Sequence, residues 1–128
     1  MNILIDTCAF LWLSADAKEL SNNAKRCFYE ESNELFLSIA SVWELAIKIA
    51  LGKLALSESL DKLILNQIQV NGITILGIDF RHAIRVTSLP FHHRDPFDRL
   101  LISQAIEEKM TLLSNDKLFD SYSIQRIW

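Results

Sequence analysis

The sequence predicts an α/β protein, with a mostly parallel central sheet layered between helices. Two observations carry this. Short runs rich in Ile and Leu, at residues 2–5, 35–38, 73–76 and 111–114, lack the polar alternation of a half-exposed strand, as expected for strands covered on both faces. Between them lie segments of helical periodicity, and strands alternating with helices build layers around parallel strands. With 128 residues, three glycines, two prolines and no low-complexity or charge-block segment, the chain is expected to form one domain over residues 1–128.

The first strand, Asn2-Ile3-Leu4-Ile5, runs into Asp6, which can N-cap a helix beginning at Thr7. Ser21 to Ser32 sets Ala24, Cys27 and Phe28 on one helical side. After the second strand, Ser41 to Leu51 repeats apolar residues at Val42, Ala46 and Ala50 and at Trp43, Ile47 and Leu51, with Gly52 as a stop signal. Here Ser41 and Glu44 have the spacing of a capping box. Leu60 to Val70 and Asp79 to Thr87 are shorter amphipathic helices on either side of the third strand. Pro96 to Lys109 has the plainest pattern: Asp95 suits the N-cap, Pro96 the first helical position, and Leu101, Ile102, Ala105 and Ile106 form the stripe. A short edge strand is expected near 124–127.

Half the residues are hydrophobic and 23% are charged, as in ordinary globular chains. No apolar run approaches the ~18 residues that cross a bilayer. No basic segment precedes the first apolar run, so a signal peptide is not expected and the expected compartment is the cytoplasm. The net charge of -3 leaves no global footprint for nucleic acid, so any polyanion must be held locally. Cys8 and Cys27 form no ligand cluster with each other or with His82, His92 and His93, which argues against zinc; both are expected to be reduced and buried.

Four acids remain to carry chemistry: Asp6, Glu44, Asp98 and Asp116. Each has a plain alternative role, as helix cap, capping-box partner, dipole partner or turn residue. As a set they are harder to explain away. Asp6 and Asp116 follow apolar strands, so a parallel sheet delivers both to its carboxyl edge, where open α/β sheets bind ligands. Asp98 shares a helix face with Ile102 and Ala105, and Glu44 lies beside Trp43 and Ile47. Gathered carboxylates repel unless a cation joins them, and Mg²⁺ or Mn²⁺ suits hard oxygen donors. One ion, or two about 4 Å apart, could activate water and offset charge on a phosphodiester.

Four stretches, in this order and at these separations, resemble a known family. They are Ile3-Leu4-Ile5-Asp6-Thr7-Cys8, Ser41-Val42-Trp43-Glu44-Leu45-Ala46-Ile47-Lys48, the run from His92-His93-Arg94-Asp95-Pro96-Phe97-Asp98-Arg99 to Ala105, and Leu113-Ser114-Asn115-Asp116. Over nearly the whole chain the sequence resembles the PIN-domain ribonucleases, specifically the VapC-type toxins of bacterial toxin–antitoxin pairs. The resemblance implies a three-layer α/β/α sandwich and a Mg²⁺- or Mn²⁺-dependent endoribonuclease. It implies an acidic quartet at Asp6, Glu44, Asp98 and Asp116, with the family's small hydroxyl residue at Ser114. A homodimer, an RNA substrate and an inhibitory antitoxin whose tail occupies the site are further implications. Asp95 and Asp98 both stand near the third acid's place; Asp98 is preferred because it lies inside the helix that Asp95 can cap.

Ser114, Arg99 and Lys48 are the candidate substrate contacts, against the alternative of surface ion pairs for the two basic residues. His92 and His93 read as solvated loop residues, with metal ligation or proton transfer as the alternative. Phe10, Trp12 and Trp43 read as core, with a groove for an antitoxin helix as the alternative. Two other classes compete with the enzyme. One is a catalytically silent PIN-like module that holds RNA or protein. The other is a phospho-acceptor receiver domain, which wants a second acid beside the first, whereas Asp6 is flanked by Ile5 and Thr7.

Overall fold

Ile3, Leu4 and Ile5 are wholly buried, so the first strand must be covered on both faces. The computed structural model, which describes residues 1–128, shows how. In chain order the elements are β1 (Asn2–Ile5), α1 (Thr7–Ser14), α2 (Asn22–Tyr29), β2 (Glu34–Ser38), α3 (Ile39–Ala50), α4 (Leu60–Asn71), β3 (Thr74–Leu76), α5 (Phe80–Arg85), α6 (Pro96–Glu107), β4 (Thr111–Leu113) and β5 (Arg126–Ile127). Single 3₁₀ turns occupy Val86–Ser88 and Lys117–Ser121.

The five strands form one sheet in the order β3-β2-β1-β4-β5, and every pairing is parallel. The register sets Ile5 beside Leu37 on one side and Leu113 on the other. Because side chains alternate along a strand, the two faces build separate cores. Ile3, Ile5, Leu35, Leu37 and Leu113 pack with Phe10 and Leu13 of α1, Ala24 and Phe28 of α2, Leu45 of α3 and Ile64 of α4. Leu4 and Leu112 pack on the opposite face with Leu101, Ile102 and Ala105 of α6, and with Phe119 and Tyr122. The expected layered α/β/α architecture is therefore present.

From β1 the chain steps outward through β2 to β3, then returns across the other face to place β4 on the far side of β1. Between β1 and β4 the winding reverses, and in open α/β sheets the crevice that binds ligands lies outside the carboxyl ends of the strands at such a reversal. The sheet thus creates a site before any functional side chain is considered.

Some boundaries move. α3 begins at Ile39, directly after β2, with Ser38 as N-cap accepting a hydrogen bond from the Ala40 N–H at 3.0 Å. The capping box expected between Ser41 and Glu44 is therefore absent, and both side chains lie within the helix. α6 stops at Glu107, and Lys109 adopts a left-handed φ of 55° that ends the run. The helix expected over Asp79 to Thr87 is α-helical only to Arg85 and tightens into 3₁₀ beyond it. No helix is long and apolar enough to cross a membrane.

Candidate active site

Asp6 leaves β1 at the crevice, its N–H still bonded to the Leu113 carbonyl at 3.1 Å. It caps α1 through a 2.7 Å bond from the Ala9 N–H to Oδ1, yet this plain role does not neutralise it. Burial pushes its carboxyl from the usual 3.8 up to about 6, against the lowering effect of Ser114 and Ala9. The charges of Asp116 and Glu44 add to the rise, which places those two acids close by.

Glu44 is buried on α3 and reaches the same edge. Its Oε1 accepts from the Thr7 hydroxyl at 2.7 Å, and its Oε2 lies 3.0 Å from the Lys48 ammonium. Thr7 has only one hydroxyl proton, which it gives to the carboxylate, so it accepts from Ser41 Oγ at 3.0 Å. Glu44 is thus held from two sides without a capping role.

The opening of α6 separates its two acids. Asp95 is the N-cap, accepting from the Phe97 N–H at 2.8 Å and the Asp98 N–H at 3.4 Å. The Asp98 carboxylate, by contrast, makes no hydrogen bond or ion pair of its own. Burial and then the charge of Asp95 raise it from 3.8 to about 7; Glu44 and Asp6 contribute, and only His93 opposes.

Asp116 caps the 3₁₀ turn that follows β4, with Oδ1 accepting from the Leu118 N–H at 2.9 Å. Its Oδ2 lies 2.9 Å from His93 Nε2. Partial burial would raise its carboxyl, but the hydrogen bonds from His93 and Leu118, with the nearby charge of Arg126, hold it below the usual value. Asp6, Glu44, Asp98 and Asp116 are therefore brought together at one sheet edge. No three of them bring carboxylate oxygens within 4.8 Å of one another.

That spacing is met by Asp79, His82 and Glu108, away from the crevice. These three are already satisfied. His82 Nδ1 accepts from the Asp79 N–H at 3.0 Å, so Nε2 carries the proton and donates to Glu108 at 2.7 Å, leaving no lone pair for a metal. Arg81 pairs with both carboxylates. The quartet has the opposite character: four hard oxygen donors, two of them forced upward in pKa, with Asp98 left without any hydrogen-bond or ion-pair partner. Its chemistry fits a divalent cation, whereas that of the Asp79 group does not.

Two candidate substrate contacts are corrected. Arg99 is buried, and its guanidinium donates to the carbonyls of Pro90, Leu89, Val86 and His93 at 2.9 to 3.4 Å while lying 4.2 Å from the centre of the Phe91 ring. Its two terminal nitrogens clamp the loop before α6, and of its five N–H donors only Nε–H makes no such bond. Ser114 is fully buried beneath the acids; its hydroxyl oxygen accepts from the Asp116 N–H at 3.1 Å, which makes it a support for Asp116 and Asp6. Lys48 alone remains at the rim, partly exposed.

The aromatic and cysteine expectations also divide. Phe10 is core and Trp12 packs against it and Trp128, but Trp43 is 60% exposed and meets Phe97 edge-on at 5.5 Å. These two rings adjoin Glu44 and Asp98 in sequence and form an aromatic ledge beside the site. Cys27 is buried, whereas Cys8 is exposed on α1, its thiol raised by partial burial and by Asp6, Glu44 and Asp98. His92 is exposed, but His93 is buried and bonded to Asp116, not solvated. Sequence reasoning gave no site role to Thr7 or Tyr122, and weighed His93 only as a solvated residue or as a metal ligand or proton carrier, not as a buried partner of Asp116. None of the surface cavities includes any of the four acids.

Comparisons with known proteins agree with the architecture. No curated protein sequence matches the chain. A structure described as VapBC2 from Rickettsia felis bound to a DNA fragment from their promoter contains a chain of similar fold, with a TM-score of 0.74, 16% identity, and coverage of 98% of this chain and 97% of that one. VapBC-1 from nontypeable Haemophilus influenzae gives 0.64 at 17% identity, covering 98% and 96%. FitAcB from Neisseria gonorrhoeae gives 0.60 at 18%, covering 97% and 95%. Identities this low speak to the fold. A family model described as PIN domain, however, matches residues 3–124 of the sequence itself, and on that match the chain belongs to the PIN-domain family.

Proposed function

We propose that this PIN domain is a metal-dependent endoribonuclease, the toxin of a toxin–antitoxin pair, with Asp6, Glu44, Asp98 and Asp116 as ligands of Mg²⁺ or Mn²⁺. The observation that carries the proposal is the state of Asp98: a partly buried carboxylate at the sheet crevice, without a partner, raised to about 7 beside three other acids. An isolated acid of that kind destabilises the fold, and a cation is the economical remedy.

When bound, the ion supplies positive charge that acidifies water and offsets the charge developing on a phosphodiester. The chain's own residues supply the rest. Thr7 and Lys48 fix both oxygens of Glu44, and the helix cap and Ser114 fix Asp6. Lys48 at the rim is the one candidate phosphate contact that keeps an exposed charge. The Trp43 and Phe97 ledge offers a face on which a base of single-stranded RNA can stack. With a net charge of -3, attraction of RNA depends on these local features and on the bound cation.

An antitoxin partner is supported by the resemblance to VapC-type toxins and by the similar structures, which are described as VapBC and FitAB. A homodimer is proposed on the resemblance alone. The decisive experiment is cleavage of RNA in Mn²⁺ by wild type and Asp6→Asn. The variant is expected to lose cleavage while keeping its circular dichroism spectrum, and equal cleavage by the two proteins would refute the assignment. Manganese titration separates the enzyme from a silent PIN-like module, which need not bind the ion.

A further inference from the structure

We infer that His93, locked by Tyr122, is a positioning residue for Asp116: it fixes the rotamer in which this carboxylate faces the acidic crevice. The inference rests on the metal-site reading above.

His93 is buried and packs against two aromatic rings. Its imidazole stacks on Phe119 at 4.5 Å and 24°, and on Tyr122 at 5.5 Å and 29°. Hydrogen bonds then set its chemistry. The Tyr122 hydroxyl oxygen accepts from the His93 backbone N–H at 2.8 Å and lies 3.2 Å from Nδ1 of the same residue. Since that oxygen already accepts, its single proton is free to point at Nδ1. On the other side of the ring, Nε2 lies 2.9 Å from Asp116 Oδ2, an oxygen that in the ionised carboxylate can only accept. The consistent arrangement has Tyr122 donating to Nδ1 and Nε2–H donating to Asp116. The opposite tautomer would set a lone pair against a carboxylate and leave the hydroxyl proton without an acceptor.

Asp116 is held at both oxygens as a result. Leu118 N–H occupies one lone pair of Oδ1 and His93 one of Oδ2, which leaves a second lone pair on each. A side chain so fixed keeps acceptor capacity for a cation but loses rotational freedom. This is the division of labour between metal ligands and the groups behind them, where removal of an outer partner weakens metal binding about 10- to 100-fold. Asp98 accepts no hydrogen bond from His93, so the loss is expected to depend on the presence of Asp116.

The test measures Mn²⁺ affinity by calorimetry for wild type, His93→Phe and His93→Gln, each also in an Asp116→Asn background. Phenylalanine keeps the stacking but removes both nitrogens, and is expected to weaken binding about 10- to 100-fold. Glutamine can place an amide N–H near the lost Nε2 and is expected to recover most of the loss. In the Asp116→Asn background, His93→Phe should cost nothing further, because its partner is gone. Affinity of His93→Phe within twofold of wild type, or a full additional loss on top of Asp116→Asn, overturns the inference. Nitrogen-15 spectra of the wild-type imidazole give a metal-independent check: Nε2 protonated and Nδ1 bare is expected, and the reverse overturns the inference. Absence of Mn²⁺ binding by wild type would instead overturn the metal-site reading, and the tautomer would still decide whether His93 holds Asp116.

Discussion

The two acids that open α6 are held differently. Asp95 Oδ1 accepts from the N–H groups of Phe97 and Asp98 as the helix cap, whereas the Asp98 carboxylate accepts from no group. The two substitutions should therefore separate stability from activity. Asp95→Ala is expected to cost about 1 kcal/mol, the usual loss for an N-cap, and to leave cleavage within a few-fold. Asp98→Asn should abolish cleavage and, by removing a repelled charge, raise the melting temperature in EDTA at pH 8. Thermal melts and an RNA cleavage assay on the same preparations check both, and an inactive Asp95→Ala beside an active Asp98→Asn would exchange the roles. Sequence spacing left this choice open because both residues occupy the first turn, and only the direction of each side chain divides them.

Elements were legible where burial writes a continuous pattern and illegible where one residue serves two elements. The four main strands fall close to their apolar runs, since a strand covered on both faces has no polar alternation to confuse the reading. The start of α3 was misplaced because Ser38 both ends β2 and caps the helix, with no loop residue to mark the join. Arg99 shows the same limit at the site. Sequence reveals its charge but not the carbonyls of residues 86–93 that surround it. The planar fork serves four carbonyls from two nitrogens, a geometry that a lysine ammonium cannot reproduce. Arg99→Lys is accordingly expected to cost about 2–3 kcal/mol and to expose the segment before α6. Urea melts and limited proteolysis measure this, and unchanged melts with normal resistance to cleavage would return Arg99 to the surface role first expected of it.

At the scale of the molecule, the strand order places Asp6 and Asp116 at the reversal of the winding, and α3 and α6 bring Glu44 and Asp98 to meet them. A fold that concentrates carboxylates in this way should reveal it in the dependence of stability on pH. Asp6 and Asp98 titrate at about 6 and about 7, above the usual 3.8. An acid whose folded pKa is raised favours the folded state when protonated, so its ionisation removes stability as pH rises from about 4 through 7. Asp116 is lowered, and so stabilises above its unfolded value and loses that contribution as pH falls through its folded one. In EDTA the melting temperature is therefore expected to peak in the mildly acidic range, to fall toward pH 8 and to fall again in strong acid. Mn²⁺ binds the ionised quartet and should raise the melting temperature more at pH 8 than at pH 5. Asp98→Asn should flatten the neutral limb and blunt the response to Mn²⁺. A melting temperature that climbs steadily to pH 8 in EDTA, with no response to Mn²⁺, would show that the four acids do not share a common field.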